Sequence, residues 1–154
     1  MAFESYADPA AMPASQAMRV ARLLNIEAGD MLSDVDLARH VSQGLLPRAA
    51  TALGEVLGHA RIIGPVVPEA TLRRMRKARK PLSRDLSERL YEVGRVVDAV
   101  SVAYHGDERA IDGFLNTAHP LLDGTTPFDM ARSSSAGADA VINLLRRAEA
   151  GIAL

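Results

Sequence analysis

The chain has 154 residues and a net charge of −1, and it contains no Cys and no Trp. The lack of Cys excludes disulfides, thiolate metal sites and a cysteine nucleophile, and a core with three Phe and three Tyr must be mainly aliphatic. No run reaches the roughly 18 apolar residues of a membrane span, and no basic start followed by an apolar stretch indicates a signal peptide. We expect a cytoplasmic protein of one compact domain or two small ones.

The N-terminal part divides into an arm and a group of short helices. Residues 1–14 are rich in Ala and Pro without a sustained period, which predicts a mobile arm. Ser33 and Asp36 form a carboxylate version of the capping box, which predicts a helix start. Further helix boundaries are predicted at Gly44, Pro47 and Gly58. Residues 15–82 are therefore predicted to form a helical domain.

One basic helix is predicted in an otherwise acidic chain. Residues 71–80, TLRRMRKARK, hold six of the eighteen basic side chains and no acidic one, so the rest of the chain carries a net charge of −7. Pro68 is expected to begin this helix and Pro81 to end it. Such an asymmetry is typical of polyanion binding, although many charge runs are only solvated faces. The candidate DNA contacts are Thr71, Arg73, Arg74, Arg76, Lys77, Arg79 and Lys80, with Thr71 and Arg74 preferred because recognition helices read with their first turns.

The segment before the basic helix is unusual. Gly64 and Pro65 must interrupt any helix begun at Ala60, because proline disfavours the helical conformation of the residue before it. The preceding helix is confined to residues 59–63, so the pattern predicts a degenerate helix-turn-helix.

The longest helix is predicted over residues 83–104, where Ser83 is the cap. Its apolar residues follow a helical period and form a continuous seam, namely Leu86, Leu90, Val93, Val97, Val100 and Tyr104. We expect this helix to join the two halves and its seam to pack within the chain, the alternative being a seam that pairs with a second copy. Gly94 favours close packing of another segment against the helix.

Residues 105–154 are predicted to form three helices and a short apolar tail. Asp107 caps the first, Thr126 with Pro127 starts the second, and Ser135 or a neighbouring serine starts the third, which Gly151 ends. The serines at 133–135 precede a helix without a nucleophile turn around them, so we interpret them as caps. The four histidines, His40, His59, His105 and His119, lack a ligand spacing, so no metal or cofactor is predicted. We find no catalytic constellation and expect a protein that is not an enzyme.

The order of motifs in this region resembles a known family. The motifs are Gly106-Asp107-Glu108, Phe114-Leu115-Asn116, the loop from Pro120 to Pro127, Ser135-Ala136-Gly137, and Leu145-Arg146 followed by Gly151. Together they resemble the toxin-binding domain of the Xre/MbcA/ParS antitoxins, the partners of RES-domain toxins. Phe114 stands where the family usually has Trp, which keeps an aromatic anchor. The likeness extends less firmly upstream, where Pro68, Thr71 and Leu72 resemble the Xre-like part.

The resemblance implies a toxin-binding surface at the C-terminal end. In the family this region covers the NAD-binding active site of the toxin, which implies roles for the loop, the last helix and the tail. The residues concerned are Leu121, Leu122, Pro127, Phe128, Arg146, Arg147, Ile152, Ala153 and Leu154. From the residues alone, the four apolar loop side chains either fold back on the last helix or present an apolar patch.

The sequence thus predicts an all-α antitoxin with an Xre-like N-terminal half, a connecting helix and a toxin-binding domain. The resemblance implies a RES-domain toxin as partner, an ADP-ribosyltransferase or NADase that is occluded by direct binding. It further implies a homodimer within the toxin complex, and autorepression through operator DNA. The alternative is a stand-alone DNA-binding transcription regulator whose C-terminal half serves only for dimerisation.

Overall fold

The computed structural model describes residues 3–27, 29 and 32–151. Within these residues the chain folds into α-helices, with one 3-10 turn and one isolated bridge between Ile63 and Val67 but no β-strand. The helices are α1 Glu4–Ala7, α2 Gln16–Leu23, α3 Asp34–Gln43, α4 Arg48–Leu57, α5 His59–Ile62, α6 Glu69–Ala78, α7 Arg84–Ala103, α8 Glu108–Asn116, α9 Pro127–Ser133 and α10 Ser135–Glu149, and the 3-10 turn is Pro120–Leu122. The predicted all-α class is confirmed. In the part of the chain that the structure describes, no helix is both long and apolar enough to cross a membrane.

Short-range caps set the helix starts, as the sequence predicted. The Ser33 hydroxyl accepts the Asp36 N–H at 3.1 Å, and the Asp36 carboxylate accepts the Ser33 N–H at 3.1 Å, which completes the capping box. The Ser83 hydroxyl accepts the Leu86 N–H at the start of α7, and the Asp107 carboxylate accepts the Ala110 N–H at the start of α8. Each cap satisfies backbone donors that the first turn of a helix leaves without a partner.

Helix α7 lies at the centre of the molecule and packs against helices from both halves of the chain. Most of its predicted seam is buried, including Leu90, Val93, Val97 and Val100, while Tyr104 at the end is partly exposed. The seam therefore packs within the chain. A second face is buried as well, where the small residues Ser87, Gly94 and Ser101 recur every seven positions. A Cβ at Gly94 would lie 3.4 Å from Leu24 Cδ2, so α2 approaches α7 closely, as predicted.

The buried apolar side chains form one core that both halves of the chain share. It runs from Phe3 through α2, α3 and α4 to the last helix, with α7 between them. The two halves thus stabilise each other through the same buried surface.

The N-terminal segment differs from the predicted mobile arm. Phe3 and Tyr6 are both buried, and the Tyr6 hydroxyl donates a hydrogen bond to Asp98 of α7 at 2.9 Å. The prediction relied on the absence of a helical period, but two aromatic side chains suffice to attach a segment when each finds a buried site.

The basic helix ends earlier than Pro81 alone requires. Its last helical residue is Ala78, and Arg79 adopts a left-handed conformation with φ of 54°. The Arg79 and Lys80 N–H groups then donate back to the carbonyls of Arg76 and Met75. Because Pro81 disfavours a helical Lys80, the helix terminates within the preceding turn.

The segment between α5 and α6 is a compact loop of residues 63–68. Val66 and Val67 are buried, and Gly64 has a positive φ of 111°. Helix α5 has only four residues, as the sequence indicated. The loop exceeds the usual three to four residues of a helix-turn-helix, so that motif stays a prediction.

Candidate functional site

The C-terminal region packs α8, α9 and α10 against α7. Thr126 begins α9 by accepting the Asp129 N–H at 3.1 Å, with Pro127 in the first helical turn. Ser134 begins α10 by accepting the Gly137 N–H at 2.9 Å, and Gly151 beyond its end has a φ of 73°. Ser134 thus caps the helix, in agreement with the prediction that Ser135 or a neighbouring serine starts it.

Of the four apolar side chains that the sequence placed in a possible patch before and at the start of α9, one is exposed and three are buried. Leu122, Pro127 and Phe128 lie in the core, whereas Leu121 is 50% exposed. The His119 ring nitrogen Nδ1 accepts the Leu121 N–H at 3.1 Å, which fixes the turn. Of the two possibilities for this loop, folding back accounts for three residues, and only Leu121 remains available to a partner in this conformation.

An ion pair between two residues of α9 lies on the exposed side of that helix. Arg132 Nε donates to Asp129 Oδ1 at 2.8 Å, and this hydrogen bond, with that from Thr126, lowers the pKa of Asp129. Arg132 Nη1 also donates to the Pro65 carbonyl at 3.4 Å. The arginine therefore links the C-terminal region to the loop that precedes the basic helix.

Arg146 and Arg147 lie exposed on the last turns of α10. Neither forms an ion pair with another described residue. Arg146 lines a groove of about 880 Å³ between α3, α7 and α10, in which Arg39 and Val35 belong to the opposite wall. Val35 is 68% exposed. The last helix thus offers guanidinium groups without an ion-pair partner among the described residues, one of them beside a groove of mixed polar and apolar lining.

The predicted tail residues Ile152, Ala153 and Leu154 lie outside the described residues. Their assignment to a toxin contact stays a prediction.

The basic helix α6 is anchored by one face only. Leu72 is buried and Met75 is half-buried, and these side chains lie three residues apart on the same face. Thr71 is half-buried beside them. The remaining candidate DNA contacts are all exposed, namely Arg73, Arg74, Arg76, Lys77, Arg79 and Lys80. Arg79 and Lys80 lie beyond the helical residues.

Two of these basic side chains have local partners. Arg73 lies 3.3 Å from Glu69 one helical turn earlier, and Arg76 donates to the Thr51 hydroxyl of α4. Arg74 and Lys77 form no ion pair with any described residue. After Glu69, every charged side chain on the solvent face of α6 is cationic. This face therefore forms a positive surface of the kind that attracts polyanions.

Sequence reasoning missed a buried polar network on α7. Asp98 is 1% exposed and forms an ion pair with Arg19 of α2 at 2.8 Å. In the sequence, Asp98 lies between seam positions, where an acidic residue is typical of a solvated face. The available signal was the small residues Ser87, Gly94 and Ser101, which mark a second buried face beside it.

A second cluster connects α7 to α10. Arg95 Nη2 lies 2.6 Å from Glu92 and 2.7 Å from Asp139. The Glu92 side chain is only 11% exposed. The cluster holds the last helix against the central one through a charge-assisted contact. No group of three potential metal ligands occurs within residues 3–27, 29 and 32–151.

Comparison with known sequences assigns the C-terminal region. No curated protein matches the chain. Residues 99–151 match the family described as the antitoxin Xre/MbcA/ParS C-terminal toxin-binding domain. The matched range covers the end of α7 and continues through α8, α9 and α10. The C-terminal third of this chain is therefore similar to the toxin-binding domain of the Xre/MbcA/ParS antitoxins.

Proposed function

We propose that this chain is the antitoxin of a type II toxin-antitoxin pair and that it neutralises a RES-domain, NAD-using toxin by direct binding. The observation that supports the proposal is the match of residues 99–151 to the antitoxin Xre/MbcA/ParS C-terminal toxin-binding domain. The RES-domain partner is inferred from the family to which this domain belongs.

The mode of action that we propose is occlusion of the toxin's active site. Arg146 and Arg147 are exposed and have no acidic partner among the described residues. An anionic dinucleotide has to pass the entrance of the toxin's site, and an arginine side chain seated in that entrance blocks its path by occupying the space, with its guanidinium paired to acceptor groups of the toxin. We assign this blocking position to Arg146, Arg147 and the tail residues 152–154, and we assign the apolar contact to Leu121.

The test is co-expression with the product of the neighbouring gene, followed by measurements of NAD consumption and growth. The wild-type chain is expected to co-purify with the toxin and to silence it. Deletion of residues 150–154, or Arg146→Ala with Arg147→Ala, is expected to restore NAD consumption while circular dichroism stays unchanged. Arg74→Ala is the matched control, because it removes one exposed arginine outside the matched domain and should leave inhibition intact. Full inhibition by the tail deletion and by the double arginine variant would contradict occlusion by these groups.

We propose in addition that α6 binds operator DNA and that the chain represses its own operon as a dimer. The exposed cationic face of α6 supports this role. Phosphate neutralisation makes affinity fall with salt at a slope of about 0.9 per contact. Arg73→Ala with Arg74→Ala should therefore weaken operator binding and reduce the salt slope by about 2.

The stand-alone regulator is the competing function, and the same experiments separate the two. A regulator binds operator DNA but neither co-purifies with the neighbouring gene product nor silences it. An adjacent gene for a RES-domain protein favours the antitoxin.

A further inference from the structure

The N-terminal segment closes over the junction between α7 and α8. We call residues 3–14 the strap. Phe3 is 6% exposed and lines one cleft together with Val56 of α4 and Ile111 of α8. The aromatic ring of the strap thus lies where the N-terminal half meets the toxin-binding domain.

The backbone of the strap follows the same junction. Gly106 has a φ of 76°, and a Cβ at this position would overlap the Phe3 carbonyl oxygen and lie 2.9 Å from the Ala7 nitrogen. His105 before it is also left-handed, with a φ of 51°. These two residues set the direction in which α8 leaves α7, and the strap packs directly against Gly106.

A polar network attaches both ends of the strap to α7. The Tyr6 hydroxyl donates to Asp98 at 2.9 Å, and Arg19 donates to the same carboxylate from Nε at 2.8 Å and from Nη2 at 3.2 Å. The remaining Arg19 nitrogen, Nη1, donates to the carbonyls of Pro13 and Ala14 at 3.1 and 2.9 Å. Arg19 therefore connects Pro13 and Ala14, at the C-terminal end of the strap, to the Asp98 carboxylate. The same carboxylate binds Tyr6 near the N-terminal end.

This network lies at the edge of the assigned domain. Asp98 is the residue directly before the matched range 99–151, and Gly106 lies inside it. Between the two attachment points, residues 7–11 are exposed. The strap is thus attached to α7 near both ends and exposed to solvent between them, and it lies outside the region that the family match covers.

From these contacts we infer that the strap completes the toxin-binding domain and that its release lowers the affinity for the toxin, with Tyr6 and Arg19 as positioning residues. The role in toxin binding rests on the proposed function. The coupling between the strap and the α7–α8 junction does not. Burial of Phe3 and Tyr6 helps to keep the junction in one geometry, and without it α8 loses one of the contacts that orient it, while its packing on α7 and α9 remains.

The first test measures hydrogen-deuterium exchange by mass spectrometry on the full chain without toxin. Arg19→Lys keeps the charge but cannot reproduce four directed donors, since an ammonium lacks the guanidinium fork. It is expected to speed exchange of the amides at 104–111 at least tenfold, with a smaller effect for Tyr6→Phe, while α3 keeps its protection. Arg48→Lys, at the exposed ion pair with Glu27, is the matched control and should change neither region. An equal rise in α3 and at 104–111, or no rise at all, would overturn the coupling.

The second test measures the affinity of the same variants for the neighbouring gene product. Arg19→Lys is expected to weaken binding at least tenfold relative to Arg48→Lys. Unchanged affinity despite faster exchange at 104–111 would overturn the role of the strap in binding. If the wild-type chain itself does not bind, the proposed function fails, and the exchange measurement still decides whether the strap controls the junction.

Discussion

Arg19 and Asp98 form a buried ion pair between α2 and α7, with side chains that are 14% and 2% exposed. They lie 79 positions apart in the sequence. The pair joins the N-terminal half to the helix in which the matched region 99–151 begins, so its loss has consequences for both parts of the chain.

Asp98→Ala should destabilise the fold strongly. The substitution leaves the Arg19 guanidinium and the Tyr6 hydroxyl buried without their acceptor, and breaking one partner of a buried pair costs about 3 kcal/mol. The midpoint of urea unfolding is the measurement. Glu69→Ala at the exposed pair with Arg73 is the control and should change stability by less than about 1 kcal/mol. Similar losses for the two variants would show that the Asp98 pair is not specially important.

Stability should fall as the pH rises above 10. Burial, followed by the nearby Asp98 carboxylate, raises the pKa of Tyr6 well above its ordinary value of 10.0. Above pH 10 the unfolded chain loses the Tyr6 proton while the folded chain keeps it. Ionisation of Tyr6 therefore favours unfolding.

Tyr6→Phe tests this assignment. The variant loses the hydrogen bond to Asp98 at neutral pH, but the free energy of unfolding should fall less steeply with pH above 10. A residual slope is expected because burial also raises the pKa of Tyr91. An alkaline slope equal to that of the wild-type chain would refute the role of Tyr6.

Two glycine substitutions should act in opposite directions. Gly106→Ala places a methyl group against the strap backbone at a positive φ, which should cost about 1–3 kcal/mol. Gly113→Ala lies exposed within α8, where nothing is within 4 Å of the new Cβ, and should stabilise by about 0.5–1 kcal/mol. Thermal unfolding of the two variants provides the comparison, and a stabilising Gly106→Ala would contradict the close packing of the strap.

The loop side chains should separate stability from binding. Phe128→Ala removes a core ring and should cost about 3–5 kcal/mol. Leu121→Ala removes an exposed side chain and should change stability by about 0.5 kcal/mol or less. Under the proposed function, Leu121→Ala, unlike Phe128→Ala, lowers toxin affinity in a chain that remains fully folded. Equal affinity of Leu121→Ala and the wild-type chain would exclude Leu121 from the contact.

The sequence by itself predicted several helix starts and the resemblance of the C-terminal region to one family. Ser33, Ser83, Asp107 and Thr126 cap helices through partners three residues away, and such contacts follow from local spacing alone. The family motifs are likewise strings of neighbouring residues.

Only the tertiary structure decided which side chains face outward and how the two halves meet. Leu121 and Leu122 are identical and adjacent, yet one is half-exposed and the other buried. Tyr6 meets Asp98 across 92 positions, and no local period indicates that an acidic residue on α7 is enclosed. Burial depends on contacts between distant segments, because a polar side chain is tolerated in a core wherever another part of the chain supplies its hydrogen-bond partner.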